Sequence, residues 1–241
     1  MNTNKSFEQP NAKSGMTGAV IKRLLQVGII TVAQAAMLFI SSGRLDWVMA
    51  WVYIGISVGI IVINVLIILP KNPELIAERG QIKEGTKKWD IMLTRLSTPA
   101  WAGALIVAGL DVRFGWSPQL ILAIQLVAMA FVVLGFGLVS WAMASNKFFS
   151  SVVRIQKERG HTVVTSGPYQ YVRHPGYVGT FTYSLVTPLL LGSLWALIPS
   201  GLIICIIFVR TALEDKTLLD ELDGYQDYAR RVCYRLLPGI W

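Results

Sequence analysis

The chain has 241 residues, 54% hydrophobic and only 15% charged, with a mean hydropathy of +0.53 and a net charge of +8. Soluble domains carry about 25% charged residues, so the composition excludes a water-soluble globule and points to a chain solvated by lipid. Two cysteines and two histidines exclude a disulfide framework, and their spacing argues against a metal site.

In chain order, residues 1–15 are polar and aperiodic, with Pro10 and Gly15, and are expected to form a disordered tail. A spanning helix needs roughly 20 apolar residues. Windows near 20–41, 47–69, 119–144 and 194–213 meet that requirement. Two weaker windows, 92–110 and 176–192, are shorter or interrupted by Pro99 and Pro188. The count is about six transmembrane helices, or five if one of the weaker pair is re-entrant. The first window is too long for the apolar region of a signal peptide, and no small-x-small cleavage site follows it.

Gly55 and Gly59 form a small-xxx-small pair expected to serve helix packing. Gly135-Phe136-Gly137 lies in an apolar helix with no strand before it, which excludes a dinucleotide fingerprint. In the 70–95 loop, Leu75, Ile76 and Ile82 predict an amphipathic stretch lying in the membrane interface. Cys205 and Cys233 are expected to be isolated and packed.

The positive charge invites a nucleic-acid reading, but its distribution removes it. All but Arg44 and Arg113 of the 22 Lys/Arg fall in the N-terminal tail, the 70–95 loop, the 146–175 loop and the stretch from Arg210 onward. In a six-helix chain those segments share one side, which is the positive-inside bias, with both termini cytoplasmic. Anionic lipid headgroups account for the charge without DNA or RNA. The expected fold is therefore all-α, a polytopic integral membrane helical bundle with a cytoplasmic C-terminal helical cap. Residues 16–144 would form the N-terminal membrane helices. Residues 145–241 would form a second region around a helical hairpin, 176–213.

The hairpin carries the functional argument. It turns at Gly192-Ser193, so the entry of its first helix and the exit of its second lie side by side. His174 and Tyr177 at the entry are thus expected within a few ångströms of Arg210 and Glu214 at the exit, across one helix–helix contact. Arg210 and Glu214, four apart, share a helix face and alone would read as a surface pair. Beside a Tyr/Arg/His cluster at a membrane boundary, such charges point to function. Pro175 restrains His174 and starts the helix.

Gly167-Pro168-Tyr169, Tyr171-Val172-Arg173-His174-Pro175-x-Tyr177-x-Gly179, Arg210-x3-Glu214-Asp215 and the ending Gly224-Tyr225-x2-Tyr228-x2-Arg231 follow in order. This pattern resembles the signature of the isoprenylcysteine carboxyl methyltransferase family. The likeness covers about 145–241, and the first 140 residues match only in being helical and apolar. It implies a membrane methyltransferase using S-adenosylmethionine, released as S-adenosylhomocysteine, without a dinucleotide-type domain. Carried over by motif, cofactor-binding residues fall on Gln156, His161, Thr162, Val163, Val164, Tyr169, His174, Pro175, Gly176, Tyr177 and Glu214. The family's substrate-carboxylate arginine falls on Arg210, and Arg210 and Glu214 are the implied catalytic pair. The Asn146–Ser151 loop departs from the pattern, which weakens the carry-over there.

The residue chemistry agrees. Glu214 can meet a cation, tyrosines can face a sulfonium, and an ionised carboxylate acceptor needs no general base. The expected acceptor is an amphiphilic or lipidated substrate arriving from the bilayer, with membrane lipids as surroundings and no obligate protein partner. Two alternatives belong to the same cofactor: methylation of a phospholipid amine or of a small thiol, with Glu214, Asp215 or His174 as base. A sterol reductase would be longer, and a small-molecule transporter would show repeated halves with broken helices.

Overall fold

The computed structural model describes residues 10–70, 75 and 84–241. These form helices α1 (Pro10–Ser42), α2 (Val48–Ile68), α3 (Lys88–Phe114), α4 (Leu122–Ser145), α5 (Pro175–Leu190), α6 (Leu197–Glu221) and α7 (Tyr225–Arg231). Short 3-10 turns at Lys157–Arg159 and Gly167–Gln170 interrupt the loop between α4 and α5. Among the described residues there is no strand, and the fold is the all-helical bundle expected.

Among the described residues, five helices are long and apolar enough to cross a membrane: Val20–Ser42, α2, α3, α4 and α6. Their outward faces carry large apolar side chains, with Ile40 75%, Leu66 69% and Leu134 64% exposed, as suits a lipid-facing surface. At 16 residues, α5 is roughly 24 Å long, short of the roughly 30 Å apolar layer. It is the weaker of the two doubtful segments, while its companion is a full helix despite Pro99.

Two sequence expectations on packing fail. A side chain added at Gly55 or Gly59 would meet nothing within 4 Å, so among the described residues no helix seats closely on that pair. The close approach occurs instead between α4 and α5. A Cβ at Gly135 would stand 2.8 Å from the Gly179 carbonyl and 2.9 Å from the Tyr183 nitrogen, and one at Gly179 would strike the Gly135 carbonyl. Small residues let these two backbones touch, the ordinary means of helix association in lipid. Cys205 and Cys233 are exposed rather than packed.

The expected tail lies outside the described residues as far as residue 9, and helix α1 starts at Pro10. The amphipathic stretch around Ile76 and Ile82 also lies outside them. Leu75 is buried with Ile68 and Met143.

The hairpin forms as the sequence implied. α5 and α6 are joined by a turn with Gly192 at φ 78°, a conformation that favours glycine. That turn is fastened to α3. Asp111, 2% exposed, accepts hydrogen bonds from Ser193 Oγ, from Ser117 Oγ at 2.6 Å and from Ser117 N–H at 2.7 Å. A buried carboxylate so fully engaged fixes the hairpin along α3. The opposite ends of the same helices then meet at a fixed level, and the candidate site lies there.

Candidate active site

A cavity of about 550 Å³ opens at this end of the bundle. Along α6 its wall passes from Ile203, Ile206 and Ile207 to Arg210, Glu214 and Leu218. One limb is therefore apolar and reaches Ile30 of α1 and Leu93 and Trp101 of α3. The other is polar, formed by the 146–164 loop, the first turn of α5 and Tyr225 and Tyr228. Two buried polar atoms on this wall, Thr94 Oγ1 and Ser184 Oγ, have no hydrogen-bond partner among the described residues. Buried polar groups are normally satisfied, so the cavity offers hydrogen-bonding capacity to an occupant.

Arg210 sits where the limbs join. Its Nε donates to Asp90 Oδ1 at 2.7 Å, and its Nη2 donates to the Ser151 carbonyl at 2.8 Å. The guanidinium carbon lies 5.5 Å from the centre of the Tyr177 ring, a cation–π contact. Tyr177 in turn donates its hydroxyl proton to Glu214 Oε2. Arg210 and Glu214 thus share a helix face but hold different partners, and the simple i,i+4 ion pair is not what is built.

One turn away, Asp215 is completely buried and gathers the neighbouring cations. Its Oδ1 accepts from the Tyr225 hydroxyl at 2.9 Å and faces His174 Nε2 at 3.2 Å, and its Oδ2 accepts from Arg235 Nε at 2.8 Å. Arg173 Nε stands 3.1 Å from Oδ1 as an ion pair. The backbone joins in: Arg173 N–H donates to the Tyr234 carbonyl at 2.9 Å and His174 N–H to the Arg235 carbonyl at 3.0 Å. The C-terminal segment therefore straps the Arg-His-Pro run in place. Burial and the nearby Asp215 charge push the Tyr225 hydroxyl far above its usual range, so it stays a donor.

The 146–164 loop is ordered by its own polar contacts. Gln156, 1% exposed, donates through Nε2 to the Phe148 carbonyl at 2.6 Å and accepts from Arg159 Nη1 at 2.6 Å. Its N–H points at His161 Nδ1 at 3.3 Å, which makes that nitrogen an acceptor and leaves the ring proton on Nε2. Desolvation, with the charges of Arg154 and Arg159, lowers the His161 pKa to about 4, so the ring is neutral at physiological pH. Its ring lies 4.5 Å from that of Phe148. Tyr169 accepts from Asn146 Nδ2 at 3.2 Å, and its carbonyl accepts from Tyr228 at 2.7 Å. Burial keeps Tyr169 protonated.

Of the residues expected from the motif, Gln156, His161 through Val164, Tyr169, His174, Gly176, Tyr177, Arg210 and Glu214 all line this one cavity. Pro175 does not; it is buried at the first position of α5 and shapes the helix start. Sequence reading missed Asp90, whose partner is 120 positions away. The available signal was a carboxylate opening an apolar span behind Lys87-Lys88. It also left Tyr225 and Tyr228 as pattern members without roles. Among the described residues no group of three or more His, Cys, Asp or Glu could hold a metal ion.

The class defined by these features is a membrane-embedded helical bundle whose cavity is polar in one limb and apolar in the other. The sequence model of the isoprenylcysteine carboxyl methyltransferase family matches residues 126–220. Among curated relatives, a protein-S-isoprenylcysteine O-methyltransferase of Schizosaccharomyces pombe is 34% identical over 111 residues, 45% of this chain and 47% of the relative. Its counterpart in Mus musculus is 34% identical over 91 residues, 35% of this chain and 30% of the relative. The matched stretch thus spans less than half of each relative's length. A solved structure of a eukaryotic intramembrane Ras methyltransferase, an isoprenylcysteine carboxyl methyltransferase, superimposes with a TM-score of 0.54 at 21% identity. It covers 90% of this chain and 75% of that one, and shares the fold.

Proposed function

We propose that the chain is an S-adenosylmethionine-dependent methyltransferase that esterifies the carboxylate of an isoprenylcysteine-like amphiphile drawn from the bilayer. The observation that carries the reading is the junction at Arg210: a half-buried guanidinium, paired with buried Asp90, between a polar limb and an apolar limb of one cavity.

The cavity residues fit the cofactor. Its volume lies within the range of small-molecule sites. The Glu214 carboxylate can receive an ammonium, and the Tyr169 and Tyr177 rings can face a sulfonium. Arg173, which lines the cavity, carries a charge complementary to a carboxylate. Gln156, His161 and the backbone of 162–164 supply hydrogen-bonding edges for a purine. When bound, the cofactor supplies an electrophilic methyl group: the acceptor's carboxylate oxygen forms the C–O bond as the C–S bond breaks, leaving a neutral thioether.

No proton changes hands in that reaction, so the protein's task is placement. Arg210 holds the acceptor carboxylate at the junction, and the Ile203, Ile206 and Ile207 wall receives its apolar part and excludes water. Proximity and desolvation are the principal contributions available. Asp215, a possible base for an amine or thiol acceptor, is instead engaged by Tyr225, His174 and Arg235. The basic loops at the site end support a cytoplasmic placement of that end and of both termini.

The test is methyl transfer from radiolabelled S-adenosylmethionine to a panel of a farnesyl-cysteine analogue, a phosphatidylethanolamine and a small thiol. Base-labile label on the farnesyl-cysteine analogue is the expected result. Label only on the lipid amine or thiol replaces the acceptor, and no label on any of them removes the enzyme reading.

A further inference from the structure

We propose that Asp90 is a positioning residue: it fixes the orientation of Arg210 and ties that orientation to the loop that forms the donor limb. The inference rests on the proposed carboxyl methylation and extends it to a residue outside the family match at 126–220.

The geometry has two halves. Asp90 lies in the first turn of α3 with none of its surface exposed. Its Oδ1 takes the Nε proton of Arg210 at 2.7 Å, and its Oδ2 takes the Val153 N–H at 2.8 Å. Val153 is held from its other side too, because Lys87 N–H donates to the Val153 carbonyl at 3.0 Å. Ser151, two residues earlier, gives its carbonyl to Arg210 Nη2. Residues 151–153 are thus clamped between the start of α3 and the guanidinium of α6. Beyond them the loop runs directly to Gln156 and His161.

A guanidinium on a flexible stem can face many ways. Here the edge bearing Nε is committed to Asp90, and one Nη2 proton to Ser151. The plane of the group is fixed, and the Nη1 side is the part left to meet an acceptor. Without the Asp90 carboxylate, Arg210 keeps its charge but loses its aim, while Lys87 N–H still holds the Val153 carbonyl and keeps the donor loop in place. The expected signature is lost turnover and acceptor affinity with a donor site that still binds.

The test is a double-mutant cycle of wild type, Asp90→Asn, Arg210→Lys and the double variant, in detergent, with a farnesyl-cysteine analogue as acceptor. Donor affinity is measured in parallel by calorimetry. Removing one partner of a buried pair predicts a fall in kcat/KM of roughly 30-fold or more for Asp90→Asn, with donor Kd within about 3-fold. In the Arg210→Lys background the same change should cost less than about 3-fold, because the group it aims is gone. Equal losses in both backgrounds, or a donor Kd that rises in step with the lost activity, overturn the inference. Should Asp90→Asn fail to fold, Asp90→Glu keeps the charge and moves it by one methylene. Its expected result is a loss of about 5-fold or more in kcat/KM with unchanged donor Kd, and wild-type activity overturns the inference. A wild-type protein that does not methylate the analogue at all removes the functional reading first. An active wild type with an additive cycle removes only the role of Asp90.

Discussion

Helix α3 carries a buried aspartate near each end, and the two have opposite surroundings. Asp111 is enclosed by serine hydroxyls and a backbone N–H, every donor neutral and every bond internal. Asp90 faces an arginine that opens onto a cavity. The same residue type on the same helix serves as a fastener at one end and as part of a site at the other. The difference lies in what answers it: a neutral, saturated network holds two turns together, whereas a charge pair beside a cavity keeps donors for an incoming group. A buried carboxylate is not by itself a sign of chemistry; its partners decide.

The most severe way to break this contrast is Arg210→Ala. It strips Asp90 of its counter-charge and the cavity of its guanidinium, so both fold and reaction should suffer. A lone buried charge costs roughly 3–5 kcal/mol, read as a large drop in melting temperature, and methyl transfer should fall below detection. A stable, active Arg210→Ala protein would erase the distinction between the two ends.

Asp111→Ala should come next, with a loss of about 3 kcal/mol as the Ser117 and Ser193 donors lose their acceptor. The molecules that remain folded should bind the methyl donor with unchanged affinity in calorimetry. A weakened donor site in well-folded Asp111→Ala would make that end functional too.

Gly135→Ala tests whether the α4–α5 contact sets the level at which the ends meet. The added methyl has the Gly179 carbonyl and Tyr183 backbone in its way, and overpacking of this kind costs about 1–3 kcal/mol. Gly55→Ala, with nothing within 4 Å, should be neutral in the same thermal assay.

The smallest effect concerns pH. The His161 pKa of about 4 lies below its ordinary 6.5, so the unfolded chain takes up the proton first. The stability contributed by the neutral ring is complete above pH 6.5 and declines as pH falls from 6.5 toward 4. His161→Gln should flatten that part of the curve of melting temperature against pH. An unchanged curve would show that the ring is not held neutral in the loop.

Sequence reading recovered the two-fifths of the molecule where motif and topology coincide. The hairpin deduction brought Tyr177 beside Arg210 and Glu214 because two helices joined by a tight turn have no freedom to do otherwise. It failed where contact depends on which helix faces which. Gly55 and Gly59 had the right spacing for packing but face outward, while Gly135 and Gly179, one dismissed as a stray glycine pair and the other lying in the motif, make the actual close contact. Asp90 was hidden for a similar reason: its position marks a helix start, and only the folded bundle brings Arg210 and Val153 to it. Asp215 was named as a possible base, and the fold engages it with Arg235 from the C-terminal strap, a contact that no local spacing announces.

The central claim is that Arg210 grips an ionised carboxylate, and the pH–rate profile of wild type and Arg210→Lys tests it most directly. With a carboxylate acceptor the wild-type rate should be flat from about pH 6 to 9, since the nucleophile ionises near pH 4. Lysine keeps the charge but not the planar donor edge, so Arg210→Lys should lose roughly 2–4 kcal/mol of transition-state stabilisation, about 30- to 1000-fold in rate. A rate that rises with pH, together with an active Arg210→Lys protein, would contradict the account and point to an amine or thiol acceptor.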